Sequence, residues 1–164
     1  MEFEHVPEKL LQQAHLSGKL MPSLEAIQAG ADRVLEKQIL EKLAIANCKH
    51  IIITNVDQLP SAVEKLGEKL IIKSSRDGYD GYGQWRLDAK QQLPELIKTL
   101  SALDLVKVPL IVETMMPFDR ELSLVGVRGQ NGDVRCYPLA ENLHHQGQLH
   151  VSVAPAPAVS DELN

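Results

Sequence analysis

Apolar residues along this chain change their spacing twice. From Val6 to Ala46 they recur with a helical period: Leu10, Leu11 and Ala14, then Leu24, Ile27 and Ala31, then Val34, Ile39, Leu40, Leu43 and Ile45. Pro22 and Ser23 form a helix-start signal, Gly30 is expected to interrupt the second helix, and Asp32-Arg33 opens a third, charged one. From His50 to Val112 short apolar runs alternate with helical segments. Ile51-Ile52-Ile53, Leu70-Ile71-Ile72 and Leu110-Ile111-Val112 read as strands. Leu59 to Leu66, with Pro60 in its first turn, and Leu93 to Leu103 read as helices.

The remainder is nearly all β. Strands are expected over Glu121 to Arg128, Val134 to Leu139 and Leu149 to Val153. Asn131-Gly132 between the first two is a strong hairpin signal. The run Glu141-Asn142-Leu143-His144-His145 is expected in a loop between strands, and Asp161-Glu162-Leu163 resembles a first helical turn.

The segment with the most chemistry is Ile71 to Leu87, IIKSSRDGYDGYGQWRL. An apolar strand ends in Lys73, a loop carries Gly78, Gly81 and Gly83, and Gln84-Trp85-Arg86-Leu87 begins another strand. Glycines let backbone N–H groups approach anionic oxygens, and Lys73 supplies a point charge for a phosphate. No GK[ST] follows the glycines, so this is not a Walker loop. A plain hairpin with a nearby lysine has the same outline.

Composition restricts the partners. The formal net charge is −5 and no long basic block occurs, which disfavours nucleic acid. Cys48 and Cys136 stand far apart with no CxxC or Cys/His cluster, which points to ordinary buried or semi-buried thiols in a reducing compartment. No apolar run reaches membrane-span length, and MEFEHVPEKL lacks a signal-peptide core, so a soluble, cytoplasmic protein is expected. Glu113 directly follows an apolar strand, where its carboxylate could accept hydrogen bonds from ribose hydroxyls; a solvated strand-end carboxylate is the commoner case. Adjacent His144 and His145 would point opposite ways in an extended chain, so a histidine metal site is not expected. One of them facing a phosphate and a plain surface histidine both remain open.

In order, Asp32-Arg33…Lys37, IIK, GYDGYGQW, IVE and FDRELSLVGVRGQNGDVRCYPLAENLHHQGQLHVSVAPAP make a recognisable series. The series resembles the ATP-grasp family and, within it, the carboxyaminoimidazole ribonucleotide synthases. MEFEHVP is similar to the segment that ends the first domain of those enzymes. The resemblance spans essentially the whole chain. It implies an α+β fold, mostly antiparallel sheet with flanking helices, comprising an ATP-grasp lid subdomain and part of the larger ATP-binding subdomain. Residues 1–46 would be the end of a first domain with connecting helices, 47–113 the lid, and 114–164 the first half of the larger subdomain. The Rossmann-like domain and the last part of the grasp domain, which carries the family's magnesium ligands, would lie outside these residues.

The resemblance also implies roles. The activity would be ATP-dependent carboxylation of aminoimidazole ribonucleotide by bicarbonate, with ATP and Mg2+ as cofactors, by a homodimer when complete. Arg33 would reach the α-phosphate side of ATP and Lys73 the α- and β-phosphates. Gly78, Tyr79, Asp80, Gly81, Tyr82, Gly83 and Gln84 would form a loop over the β- and γ-phosphates, with Tyr79 and Asp80 near the reacting substrates. Glu113, Thr114, Met115 and Met116 would line the adenine, Glu121 would hold the ribose, and His144 would lie near the phosphates. The position between Gly81 and Gly83, basic in the family, is Tyr82 here. Another ATP-grasp ligase, or a non-catalytic nucleotide-binding fragment, is the alternative reading.

Overall fold

The computed structural model describes residues 6–76, 78, 82–145 and 147–160. These residues divide into two compact units, one up to Met116 and one from Pro117. No described helix is long and apolar enough to cross a membrane.

The first unit opens with helices α1 (Glu8–Leu16), α2 (Leu24–Ala31) and α3 (Arg33–Lys42). Ser23 caps α2 by accepting from the Ala26 N–H, as the Pro22-Ser23 signal predicts. Gly30 does not break α2, which runs through it to Ala31. The break falls at Asp32, whose backbone turns extended (φ −130°, ψ 112°) and whose carboxylate accepts from the Val34 N–H at 2.8 Å. A capping carboxylate ends one helix and starts the next more decisively than a tolerated helical glycine.

Strands β1 (His50–Ile53), β2 (Leu70–Ser74), β3 (Gln84–Leu87) and β4 (Leu110–Thr114) form an antiparallel sheet in the order β1-β4-β2-β3. Helices α4 (Leu59–Leu66) and α5 (Leu93–Leu100) cover one face. Ile53 lies opposite Leu110, Ile72 opposite Val112 and Leu70 opposite Leu87, so these side chains share that face. They pack with Leu59, Ala62 and Val63 of α4 and Leu93, Leu96 and Leu100 of α5. The predicted helix from Leu93 stops at Leu100 rather than Leu103. There the Ser101 hydroxyl donates to the Ile97 carbonyl and the Leu103 N–H turns back to Leu100.

The opposite sheet face is chemically different. His50 lies opposite Glu113, which lies opposite Ile71; Ile52 lies opposite Ile111, which lies opposite Lys73. Two ionisable strand residues, Glu113 and Lys73, therefore stand on the same side as the fully buried Ile111.

The second unit contains β5 (Glu121–Ser123), β6 (Gly126–Arg128), β7 (Val134–Cys136), β8 (Ala140–His145) and β9 (Gln148–Val153). The expected single strand over 121–128 is two strands in different sheets: β5 pairs with β8, and β6 pairs with β7. The Asn131-Gly132 turn closes β6 and β7 as predicted, with the Gly129 N–H donating to the Asp133 carbonyl at 2.8 Å. Residues 141–145 are the clearest correction. They form most of β8, the middle strand of β5-β8-β9, not a loop. Pairing on both sides satisfies their backbone groups, so their polar side chains do not prevent a strand.

Candidate active site

In the first unit, β4 and β2 carry Glu113 and Lys73 to one face of the sheet, and α3 carries Lys37 to the same carboxylate. One Glu113 oxygen is 2.8 Å from Lys37 Nζ and the other is 2.7 Å from Lys73 Nζ. Glu113 is only 6 % exposed and Lys37 only 7 %. The sequence suggests a carboxylate just beyond an apolar strand, solvated in the commoner case; Glu113 lies instead within β4, buried, with both oxygens engaged. Burial alone would push its carboxyl up. The hydrogen bonds and charges of Lys37 and Lys73 outweigh that and hold it below its ordinary value. Burial likewise opposes the Lys37 ammonium, but Glu113, with a smaller contribution from Cys48, raises it above the usual lysine range.

Lys37 has further partners, Asn47 Oδ1 at 3.3 Å and Cys48 Sγ at 3.4 Å. Sequence reasoning noted Lys37 on the α3 helix but gave it no site role. Its signal was present as a lysine four residues after Arg33, one helical turn along the same face.

The glycine loop leaves β2 beside this cluster. The Arg33 backbone N–H donates to the Ser75 carbonyl at 2.9 Å, and its guanidinium donates to the Ser74 carbonyl at 3.1 Å. A Cβ on Gly78 would sit 3.4 Å from Arg33 Nη1 and 3.2 Å from the Tyr82 carbonyl oxygen. Gly83 takes φ +70°, and a Cβ there would meet Ser74 Oγ at 3.0 Å. The Ser74 N–H donates to the Gly83 carbonyl at 2.8 Å and extends the β2–β3 ladder. The glycines thus keep the loop base narrow and close to Arg33. Tyr82 is largely exposed and Gln84 begins β3. Tyr79, Asp80 and Gly81 lie outside the described residues.

Thr114 and Met115 continue from Glu113. Their N–H groups donate to the Lys49 and Lys69 carbonyls, each at 3.0 Å, and Met116 is exposed. A purine edge at this strand end would meet other backbone groups than those two amides.

In the second unit, Glu121 lies opposite Asn142, and Asn142 lies opposite Ser152. Asn142 Nδ2 and His144 Nδ1 each stand 3.5 Å from Glu121 Oε1, and the Ser152 hydroxyl donates to Asn142 Oδ1. Glu121 and His144 are therefore brought together. Asn142 and Ser152, which sequence reasoning passed over, complete a polar row across the sheet.

Among the described residues no group of three or more His, Cys, Asp or Glu side chains is placed to hold a metal ion. None is assigned to magnesium here. Cys48 and Cys136 are free thiols; Cys48 is half-buried as expected, but Cys136 is exposed, because β7 pairs only with β6 and every residue of β7 is exposed.

Two lysines gathered on a sheet face beside a glycine-rich strand connection suit an enzyme that handles a polyphosphate, and the ATP-grasp domain model matches residues 38–164. The chain belongs to the ATP-grasp family. More particularly, it is 45 % identical over 166 residues to the N5-carboxyaminoimidazole ribonucleotide synthase of Vibrio cholerae, covering 98 % of this chain and 44 % of that protein. A crystal structure of the ADP complex of an N5-carboxyaminoimidazole ribonucleotide synthetase superposes with a TM-score of 0.88 at 29 % identity, over 99 % of this chain and 41 % of that one. The Aspergillus clavatus N5-carboxyaminoimidazole synthase, in complex with ADP and 5-aminoimidazole ribonucleotide, gives 0.82 at 27 % identity over 99 % and 41 % of the two chains. This chain thus spans less than half the length of each of these three relatives.

Proposed function

We propose that this chain supplies the ATP-handling part of an ATP-dependent ligase that carboxylates 5-aminoimidazole ribonucleotide with bicarbonate. The products are N5-carboxyaminoimidazole ribonucleotide, ADP and phosphate. The observation that carries the reading is the convergence of Lys37 and Lys73 on one face of the sheet, with Arg33 bound to the end of β2 at the Ser74 carbonyl. The particular reaction is suggested by the Aspergillus clavatus N5-carboxyaminoimidazole synthase, whose structure holds ADP and 5-aminoimidazole ribonucleotide.

In this reading a bicarbonate oxygen attacks the γ-phosphorus of ATP, ADP departs, and carboxyphosphate forms. The exocyclic amine of the ribonucleotide then attacks the carbonyl carbon, loses a proton and releases phosphate. Phosphoryl transfer of this kind depends on positioning and charge neutralisation more than on covalent help from the protein. Lys37 and Lys73 neutralise phosphate oxygens, and Arg33 steadies the base of the loop that covers them. Water exclusion by that loop protects an intermediate prone to hydrolysis. Glu121 and His144 are proposed for the ribose and phosphate sides of the nucleotide, and Tyr79 and Asp80 for the reacting substrates.

The test is ATP binding by calorimetry to this chain and to Lys73→Ala, with ADP release from a full-length chain carrying this sequence, with and without bicarbonate and the ribonucleotide. Loss of one charge-assisted phosphate contact costs about 1.5–3 kcal/mol, tenfold or more in affinity. Unchanged affinity in Lys73→Ala would remove Lys73 from the site. ADP release indifferent to the ribonucleotide would remove the proposed substrate.

A further inference from the structure

We infer that Glu113 is an internal stand-in for a phosphate group: its carboxylate occupies both lysines until a polyphosphate takes them over. This rests on the phosphate reading of Lys37 and Lys73.

The geometry is that of an anion already bound. A carboxylate presents two oxygens to two separate cations, at 2.8 and 2.7 Å, on the sheet face away from the apolar core. A phosphate group offers the same chemistry, with negative oxygens and no donor. Without an anion between them, two ammonium groups so close would repel each other, and burial would favour loss of a proton from Lys37. The carboxylate prevents both, so Lys37 keeps its charge and the two lysines stay gathered.

The same arrangement has a cost for binding. Two ammoniums and one carboxylate leave a single net positive charge in the cluster. An incoming polyphosphate must compete with Glu113 for Nζ protons and meets its negative charge at short range. Lys73 is the side chain positioned to exchange first, because its side chain is 29 % exposed whereas that of Lys37 is 9 % exposed. Glu113 is accordingly a positioning residue that gathers the lysines and also lowers the affinity for anions at that point. A purely structural ion pair would show only the first of these effects.

Inorganic tripolyphosphate isolates the charge effect from any adenine or ribose contact. Its affinity is measured by calorimetry on the 164-residue chain, its Glu113→Gln, Lys37→Met and Lys73→Met variants, and the Lys37→Met/Glu113→Gln double variant. Thermal melts with and without the anion follow binding even where a variant is less stable, because a ligand of the folded state raises its melting temperature. Glu113→Gln is expected to bind tripolyphosphate at least tenfold more tightly than wild type and to show the larger upward shift in melting temperature. Each lysine variant is expected to bind it at least tenfold more weakly. The double variant, with one lysine and no carboxylate, should fall nearer to wild type than either of its parents. Equal or weaker binding by Glu113→Gln, with both lysine variants still impaired, would overturn the stand-in role and leave the phosphate reading intact. No effect in any variant would overturn both.

Discussion

The two units handle apolar surface in opposite ways. All fifteen buried apolar residues found among the described positions precede Pro117. In the first unit the sheet lays Leu70, Ile72, Leu110 and Val112 against two helices, and its other face carries the lysine–carboxylate cluster. In the second unit Leu143, Leu149, Val151 and Val153 are each at least 40 % exposed. The sheets of both units are antiparallel. The difference lies in whether a layer packs on the apolar face, and it separates a unit that can hold charges in fixed, dry positions from one whose polar row of Glu121, Asn142 and His144 stays in contact with water.

The largest effect expected from this contrast is in the first core. Leu110→Ala removes a fully buried side chain between two paired strands and the helices above them. Substitutions of this kind cost about 2–5 kcal/mol, from lost transfer energy and the cavity left behind. Urea unfolding followed by circular dichroism measures it. A loss under about 1 kcal/mol would mean that this core collapses around the gap, and the contrast between the units would weaken.

The next effect is one of pH, and it is specific to the charged face of the first unit. Glu113 is held below its ordinary value, so the unfolded chain takes up its proton more readily than the folded one. Its stabilisation is therefore complete above the unfolded carboxyl value of about 4.3 and is lost as pH falls from there through the lower folded value. Lys37 has the opposite sign. Its stabilisation is complete below about 10.4 and is lost as pH rises through the higher folded value. Urea midpoints across the acid range should fall more steeply for wild type than for Glu113→Gln. Parallel curves would show that the cluster is not coupled to folding.

A smaller, local effect is expected in the second unit. Arg120 joins Glu141 through two hydrogen bonds, at 3.2 and 2.8 Å, and also donates to the Pro157 and Ala158 carbonyls. It ties the segment after β9 back to β8. Arg120→Ala should speed hydrogen exchange at the Ala156 amide, which donates to the Leu139 carbonyl at 2.7 Å, and leave exchange in β2 and β4 unchanged. Faster exchange throughout the first unit would show that the two regions do not open separately.

How much was legible in the sequence follows the same division. In the first unit the apolar runs are short and well punctuated, and Leu59–Leu66, with Pro60 second, emerged with the expected limits. The strand 70–72 and the strand from Gln84 were also readable from their apolar residues. The partnership of Glu113 was not. A carboxylate after an apolar strand has many fates, and only the approach of α3, far away in sequence, brings Lys37 to it. In the second unit the pattern misled at 141–145, where glutamate, asparagine and two histidines have the composition of a loop. Strand pairing is decided by backbone partners, β5 and β9, which the local residues do not reveal. The roles proposed for Glu121 and His144 rest on family resemblance, and their common row with Asn142 and Ser152 became visible only with the register.

The smallest expected effect tests the other side of the comparison. Val151 lies on β9 directly opposite Leu143 of β8, and the two side chains are 40 % and 54 % exposed. Replacing it with threonine keeps the β-branched shape and substitutes a hydroxyl for one methyl. At a buried site this is far from neutral, since the hydroxyl must then find a partner. On a face open to water the hydroxyl is hydrated, β-propensity barely changes, and the cost should remain within about 0.5 kcal/mol. Because contiguous exposed apolar side chains favour self-association, Val151→Thr should also lower any concentration-dependent sedimentation. Urea unfolding and sedimentation velocity on the same samples read both quantities. A loss above about 2 kcal/mol would show that this face is covered in solution; the contrast between a packed first unit and an open second one would then have to be withdrawn.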